Sequence, residues 1–161
     1  GICVPGLCRH YYDNHFWPDK IETCEDEDVL CWLENHLCMI PMEPRRPGCS
    51  VVDGMDITKT KVETLAKAAD DCWYAIMNTD LELFAKAYKD SFNAQVAMFP
   101  AMIQGCVQEY INKYSAMDDV LAWKMPGAGG GGYLACVVKD TDAFCERHNE
   151  AIKLKIRRSG F

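Results

Sequence analysis

The chain has 161 residues, 49% hydrophobic and 25% charged, proportions that suit a globular domain able to bury a core. Its 17 basic and 24 acidic residues give a formal charge of −7, and no Lys/Arg-rich run could neutralise the phosphates of nucleic acid or an anionic membrane, so neither is an expected partner. Without a signal-peptide pattern or an apolar stretch near the ~20 residues that cross a bilayer, the expected setting is a reducing cytoplasm.

The chain opens at Gly1, without Met and inside the apolar segment from Ile2 to Leu7, which reads as a cut from something larger or a tag remnant. Tyr11, Tyr12, Phe16 and Trp17 surround the turn signal Asp13-Asn14 and predict strand, turn and core packing, with a substrate-stacking platform as the alternative. Glu22, Glu25, Asp26, Glu27 and Asp28 lack the alternating oxygen ligands and the Gly of a calcium loop. They predict the solvated first turn of a short helix over 27–35, where negative charge meets the helix dipole. Leu37 to Met42 reads as a strand ending at Pro41 or Pro44, followed by the loop Pro44-Arg45-Arg46-Pro47-Gly48.

Three amphipathic helices follow. Val62, Leu65, Ala69, Cys72, Trp73 and Ile76 share one face of the first, opened by the capping-box pair Thr60 and Glu63. Asp80 caps the second, which carries Leu81, Phe84, Tyr88, Phe92 and Val96 and stops before Pro100. Ile103, Cys106, Val107, Tyr110, Ile111 and Tyr114 repeat the pattern in the third. Val120 to Met125 and Tyr133 to Lys139 read as strands, Asp140 or Thr141 caps a fourth helix reaching about Ala151, and Ile152 to Arg157 closes with a strand. The expectation is a single α+β domain over 1–161 with a mostly antiparallel sheet: a leading strand and turn segment, 1–35, and a main unit, 36–161.

Ten cysteines, Cys3, Cys8, Cys24, Cys31, Cys38, Cys49, Cys72, Cys106, Cys136 and Cys145, contain no C-x-x-C pair and several fall on apolar faces, so they read as small buried hydrophobes. His10, His15, His36 and His148 show no metalloprotease spacing, and no metal site is expected.

The most informative segment lies between the two strands of the last third: Pro126-Gly127-Ala128-Gly129-Gly130-Gly131-Gly132. Glycines held between strands expose backbone N–H groups and admit a ligand, commonly an anion; a flexible hairpin is the plain alternative. Gly127, Gly129 and Gly132 satisfy G-x-G-x-x-G. A dinucleotide site needs a helix after the loop, and here a strand follows. A protein kinase needs H-R-D and D-F-G downstream, and neither is present. No G-x-x-x-x-G-K-[ST] occurs.

From Trp123 to Tyr133 the sequence resembles the C-terminal glycine motif of the GHMP kinases, the family of galactokinase, homoserine kinase, mevalonate kinase and phosphomevalonate kinase, with the sugar and heptose kinases looking most alike. His36 to Pro41, before Arg45 and Arg46, resembles the strand and loop that begin that family's C-terminal domain. The resemblance implies a ferredoxin-like fold with helices packed on one face of the sheet. It also implies transfer of the ATP γ-phosphoryl group, with Mg²⁺, to a sugar or sugar phosphate. Gly127, Ala128, Gly129, Gly130, Gly131 and Gly132 would bind ATP or substrate, serving the site rather than the fold at Gly129 and Gly130. Arg45 and Arg46 would hold a substrate anion, or form a solvated loop. Two departures stand out: Pro126 replaces the usual Ser or Thr, and the family's Pro-Gly-Leu-Ser-Ser-Ala-like phosphate motif is absent. The resemblance therefore implies a C-terminal half, inactive alone, with no catalytic residue in this chain, the base upstream of Gly1, and the N-terminal kinase half as the missing partner; a non-catalytic nucleotide or sugar-phosphate binding module is the alternative.

Overall fold

The structure is a computed structural model that describes residues 4–13, 15–48 and 50–160, so Cys3, Asn14 and Cys49 lie outside the described residues. β1 (Leu7–Tyr11) and β2 (Lys20–Cys24) pair antiparallel, from Leu7 opposite Cys24 to Tyr11 opposite Lys20. The predicted strand is there, and the turn signal Asp13-Asn14 lies partly outside the described residues; the core packing is not found, since Phe16 is 87% exposed, Trp17 75% and Tyr12 59%. A two-stranded ribbon offers no second layer at its tip, and Phe16 and Trp17 meet edge to face, 5.2 Å between ring centroids.

Asp26 caps α1 (Glu27–His36) by accepting the N–H groups of Asp28 and Val29, and the helix passes directly into β3 (Leu37–Pro41). β3 is interior to a four-stranded antiparallel sheet ordered β4-β5-β3-β6, where β4 is Val120–Lys124, β5 is Tyr133–Val138 and β6 is Ile152–Lys153. With α4 (Val107–Ser115) before β4 and α5 (Thr141–Arg147) after β5, this is the ferredoxin-like βαββαβ order the resemblance implies.

Period-2 alternation divides the strands between two layers. Cys38, Ile40, Leu134, Cys136 and Val138 pack with Ile111, Tyr114 and Phe144 of α4 and α5, so these two helices share one face as expected. Ala122 and Val137 pack instead with Ala75, Phe84 and Ala85 of the long hairpin formed by α2 (Lys59–Met77) and α3 (Leu81–Met98), which adds a layer on the other side. Cys38 and Cys136 are cross-strand partners with free thiols, and burial pushes the Cys38 thiol up to about 12, so it is inert at neutral pH.

Four boundaries differ from expectation, each for a local reason. Thr58, rather than Thr60, caps α2 by accepting the Lys61 N–H at 3.4 Å; Lys61 is also held by Asp56 and the Ala97 carbonyl, which fixes the helix start. The predicted third helix divides into a 3₁₀ turn at Pro100–Ile103 and α4, because Gly105 adopts φ +63° between them. α5 stops at Arg147, where His148 leaves helical geometry. β6 spans two residues, because the Ile156 N–H is drawn to Glu34 Oε1 of α1, 2.6 Å away, instead of to a strand.

That last contact belongs to a cluster tying the C-terminal segment to α1. Arg158 bonds Glu34 and Glu27, and Lys155 bonds Glu34 at 2.7 Å. The first turn of α1 is thus ion-paired at Glu27, not simply solvated. The Arg158 bond holds the Glu27 carboxyl down at about 2. Burial pushes the Glu34 carboxyl up, and its bonds to Arg158, Lys155 and the Ile156 N–H outweigh this, leaving it below the ordinary range. A carboxyl lowered on folding stabilises above its unfolded pKa and loses that contribution as pH falls through its folded pKa. Glu34→Ala should therefore lower the melting temperature by about 3–6 °C at pH 7, and by less at about pH 3. Thermal melts at both pH values check this; an equal loss at both would contradict it.

Candidate functional site

Between β4 and β5 the glycine loop does not project into solvent. The Gly130 N–H donates to the Met102 carbonyl at 2.8 Å, the Gly132 N–H to the Glu43 carbonyl at 3.0 Å, and the Met42 N–H to the Gly132 carbonyl at 2.8 Å. Gly127 is tied from α3, where Gln95 Nε2 donates to its carbonyl at 3.3 Å. The loop is therefore laid over the Pro100–Ile103 turn on one side and the loop after β3 on the other, which excludes the flexible hairpin.

Two positions explain why glycine is required. A Cβ on Gly129, at φ +77°, would lie 2.8 Å from Met102 Cβ and 3.0 Å from the Met102 carbonyl oxygen. One on Gly131, at φ +144°, would lie 2.6 Å from the Glu43 carbonyl oxygen and 2.8 Å from the Arg45 nitrogen. At Gly129 and Gly130, expected to serve a site rather than the fold, the structure shows a demand of the fold itself. Gly129 is dictated by close approach to Met102, and the Gly130 N–H is consumed in a structural bond. Among the described residues, the N–H groups of Gly127, Ala128, Gly129 and Gly131 meet no internal acceptor.

The same packing brings two separately predicted groups together. Arg46 and Gly130 line one pocket of about 190 Å³ with Glu43, Gln104, Gly105 and Cys106. A Cβ on Gly130 would come within 3.4 Å of Arg45 Cγ, so both arginines lie by the loop. Arg45 and Arg46 are exposed, and among the described residues neither guanidinium has a hydrogen bond or ion pair. Gln104, Gly105 and Cys106 lead into α4, whose N-cap receives no side-chain bond, so the positive end of the helix dipole faces this corner. Unspent guanidinium donors beside a helix start form a basic corner suited to an anion, with Glu43 as the one carboxylate that would oppose it. The sequence reading missed Gln104, Gly105 and Cys106 by treating Ile103 to Tyr114 as one helix; Gly105 was the available signal for the break.

Comparison with known proteins is consistent with this fold. No protein-family model and no curated protein matches the sequence. Among solved structures, a "putative sugar kinase" from Campylobacter jejuni superposes with a TM-score of 0.54 at 13% identity, over 86% of this chain and 42% of that one. The chain thus spans less than half the length of that protein. At this identity the likeness is one of fold. The chain has an α+β fold with an antiparallel sheet, and that fold is similar to part of the Campylobacter jejuni protein.

Different glycines should respond differently to a side chain. Gly127 also has positive φ, +99°, but a Cβ there meets nothing within 4 Å. Gly127→Ala should cost only the conformational term, about 1–2 kcal/mol. Gly129→Val adds a collision with Met102 Cβ and should cost at least about 2 kcal/mol more. Urea unfolding of both variants measures the difference; equal stabilities would contradict the packed-loop description.

Proposed function

We propose that this chain is the C-terminal part of an ATP-dependent small-molecule kinase, acting on a sugar or sugar phosphate, and that its glycine loop helps close the phosphoryl-transfer site. The observation that carries the reading is the meeting of Arg46 and Gly130 in one pocket, beside Arg45 and the start of α4. Arg45 and Arg46 lie 81 or more positions before the glycines in sequence, and the resemblance points to both groups for ligand contact. The ferredoxin-like order of elements, shared in part with a protein described as a sugar kinase, supports the same reading.

Phosphoryl transfer depends on positioning and charge stabilisation more than on covalent help from the protein. In this proposal Arg46, with Arg45 beside it, orients an anionic or hydroxyl-rich acceptor by forked hydrogen bonds. The packed loop forms a rigid wall, so the acceptor is held without reorganisation at the moment of transfer. Among the described residues no group of three or more His, Cys, Asp or Glu is arranged to hold a metal ion. In this proposal the triphosphate and the catalytic base belong to the N-terminal half of the parent protein, as the resemblance implies, and Mg²⁺ accompanies the triphosphate. One observation favours the second reading, a non-catalytic sugar-phosphate binding module: the N–H groups of Gly130 and Gly132 are spent inside the fold, leaving fewer donors for a transferring group.

In the full-length protein containing this chain, Arg46→Ala should raise KM for a sugar phosphate about 10–100-fold, as removal of a charge-assisted hydrogen bond does, with little change in melting temperature. Steady-state kinetics with a panel of hexose and heptose phosphates measure it. An unchanged KM would return the arginines to a solvated loop, and binding without ATP turnover by the full-length protein would favour the non-catalytic reading.

A further inference from the structure

Away from the glycine corner, a second cavity of about 490 Å³ opens between the α2–α3 hairpin and β1. Its walls are largely apolar: Leu33 of α1, Leu37 of β3, Trp73 and Ile76 of α2, and Phe84 and Tyr88 of α3. This explains why the apolar stripe on α2 is only partly buried. Cys72, Trp73 and Ile76 are half-covered because one side of each lines open space.

Within that apolar lining lies one charge with no counter-ion. Lys124, the last residue of β4, directs Nζ to Ser91 Oγ at 2.5 Å, and Ser91 is only 6% exposed. Among the described residues Lys124 forms no salt bridge, and no Asp or Glu lines the cavity. An ammonium has three donors, and Ser91 takes one. Burial lowers the Lys124 pKa, as expected for a cation taken from water without an anion beside it. On the β1 side, Arg9 is spent on Asp70 and Glu22, while His10 lines the cavity with its Nε2 buried and unpartnered. Lys124 and His10 thus both have unspent hydrogen-bonding capacity at this wall.

We propose that this cavity binds a small organic monocarboxylate with an aromatic or branched apolar body, its carboxylate on Lys124 and its apolar part against Trp73, Phe84 and Tyr88. The volume falls in the range of small-molecule sites, and the lining has their usual make-up of apolar walls with a few convergent polar groups. One uncompensated positive charge in an apolar lining is balanced by one negative charge. A phosphate dianion would bring excess charge that no second free cation here offsets. The site is distinct from the Arg46–Gly130 pocket and does not depend on the kinase reading. It is nonetheless joined to the glycine loop, since Pro126 lines the cavity and α3 carries both Ser91 inside it and Gln95 on the Gly127 carbonyl. The occupant can therefore influence the first residues of the loop.

The test uses Trp73 as a reporter in the purified chain and in the full-length protein, titrated with 3-phenylpropionate, 4-methylpentanoate, the neutral 3-phenylpropan-1-ol and inorganic phosphate. The expected result is saturable binding of at least one carboxylate, with the alcohol at least about tenfold weaker, as loss of a charge-assisted contact requires. Lys124→Met, which keeps the side-chain length, should weaken the carboxylate at least about tenfold and leave the alcohol unchanged. Should that variant fold poorly, Cys72→Trp, which fills the cavity from α2, should abolish binding of both. Absence of saturable binding by either carboxylate, equal affinity for the alcohol, or tighter binding of phosphate than of carboxylate would overturn the proposal. So would binding in the isolated chain that is lost in the full-length protein, because the natural occupant would then be another part of the polypeptide.

Discussion

The candidate site depends on one close approach of backbone to backbone. Gly129 to Gly132 press against Met102 and against Glu43 to Arg45 so tightly that a Cβ at Gly129 would collide with Met102 Cβ and one at Gly131 with main-chain atoms of Glu43 and Arg45. Three backbone hydrogen bonds, through Gly130, Gly132 and Met42, hold the approach in place. By drawing the loop after β3, the loop after β4 and the turn before α4 to one corner, this contact assembles the pocket at Arg46. A chain with a Cβ at Gly129 or Gly131 would separate these loops, and the arginines would lose their neighbour.

Much of the architecture was legible because its signals are local. The short apolar runs Leu37–Pro41 and Tyr133–Val138, Asp caps at the starts of α3 and α5, and Pro100 after α3 each act within a few residues. The glycine run was legible as a special backbone, but its purpose was not. Whether a glycine admits a ligand or admits Met102 depends on which loop folds against it, and no neighbouring residue encodes that. The exposed Phe16 and Trp17 fail in the same way, since composition marks them as apolar without saying whether a second layer reaches them. Nothing local to Lys124 marks it either, since its partner Ser91 stands thirty-three positions earlier.

The charges follow a related division. Glu34 and Arg158 stand 124 positions apart and fasten the C-terminal segment to α1, where their bonds to each other and to Ile156 offset the cost of burial. Lys67 with Asp71 and Lys86 with Asp90 are exposed i,i+4 pairs on helices and contribute little to stability. Arg45, Arg46 and Lys124 differ, because none of them has an ion pair among the described residues. Two lie at the glycine corner and one in the apolar cavity, which is why the two places are proposed to take different ligands.

The central claim, that the packed glycine loop and Arg46 together form an anion-binding corner, is tested most directly by backbone amide NMR of the ¹⁵N-labelled chain titrated with a hexose phosphate. The account predicts saturable shifts at Gly105, Cys106 and the amides of Gly129 and Gly131, accompanied by the Arg46 Nε resonance. It also predicts that the Gly130 and Gly132 amides, already bonded to Met102 and Glu43, keep their slow exchange with solvent throughout. Unchanged spectra at the corner, or rapid exchange of Gly130 and Gly132 in the free chain, would contradict it.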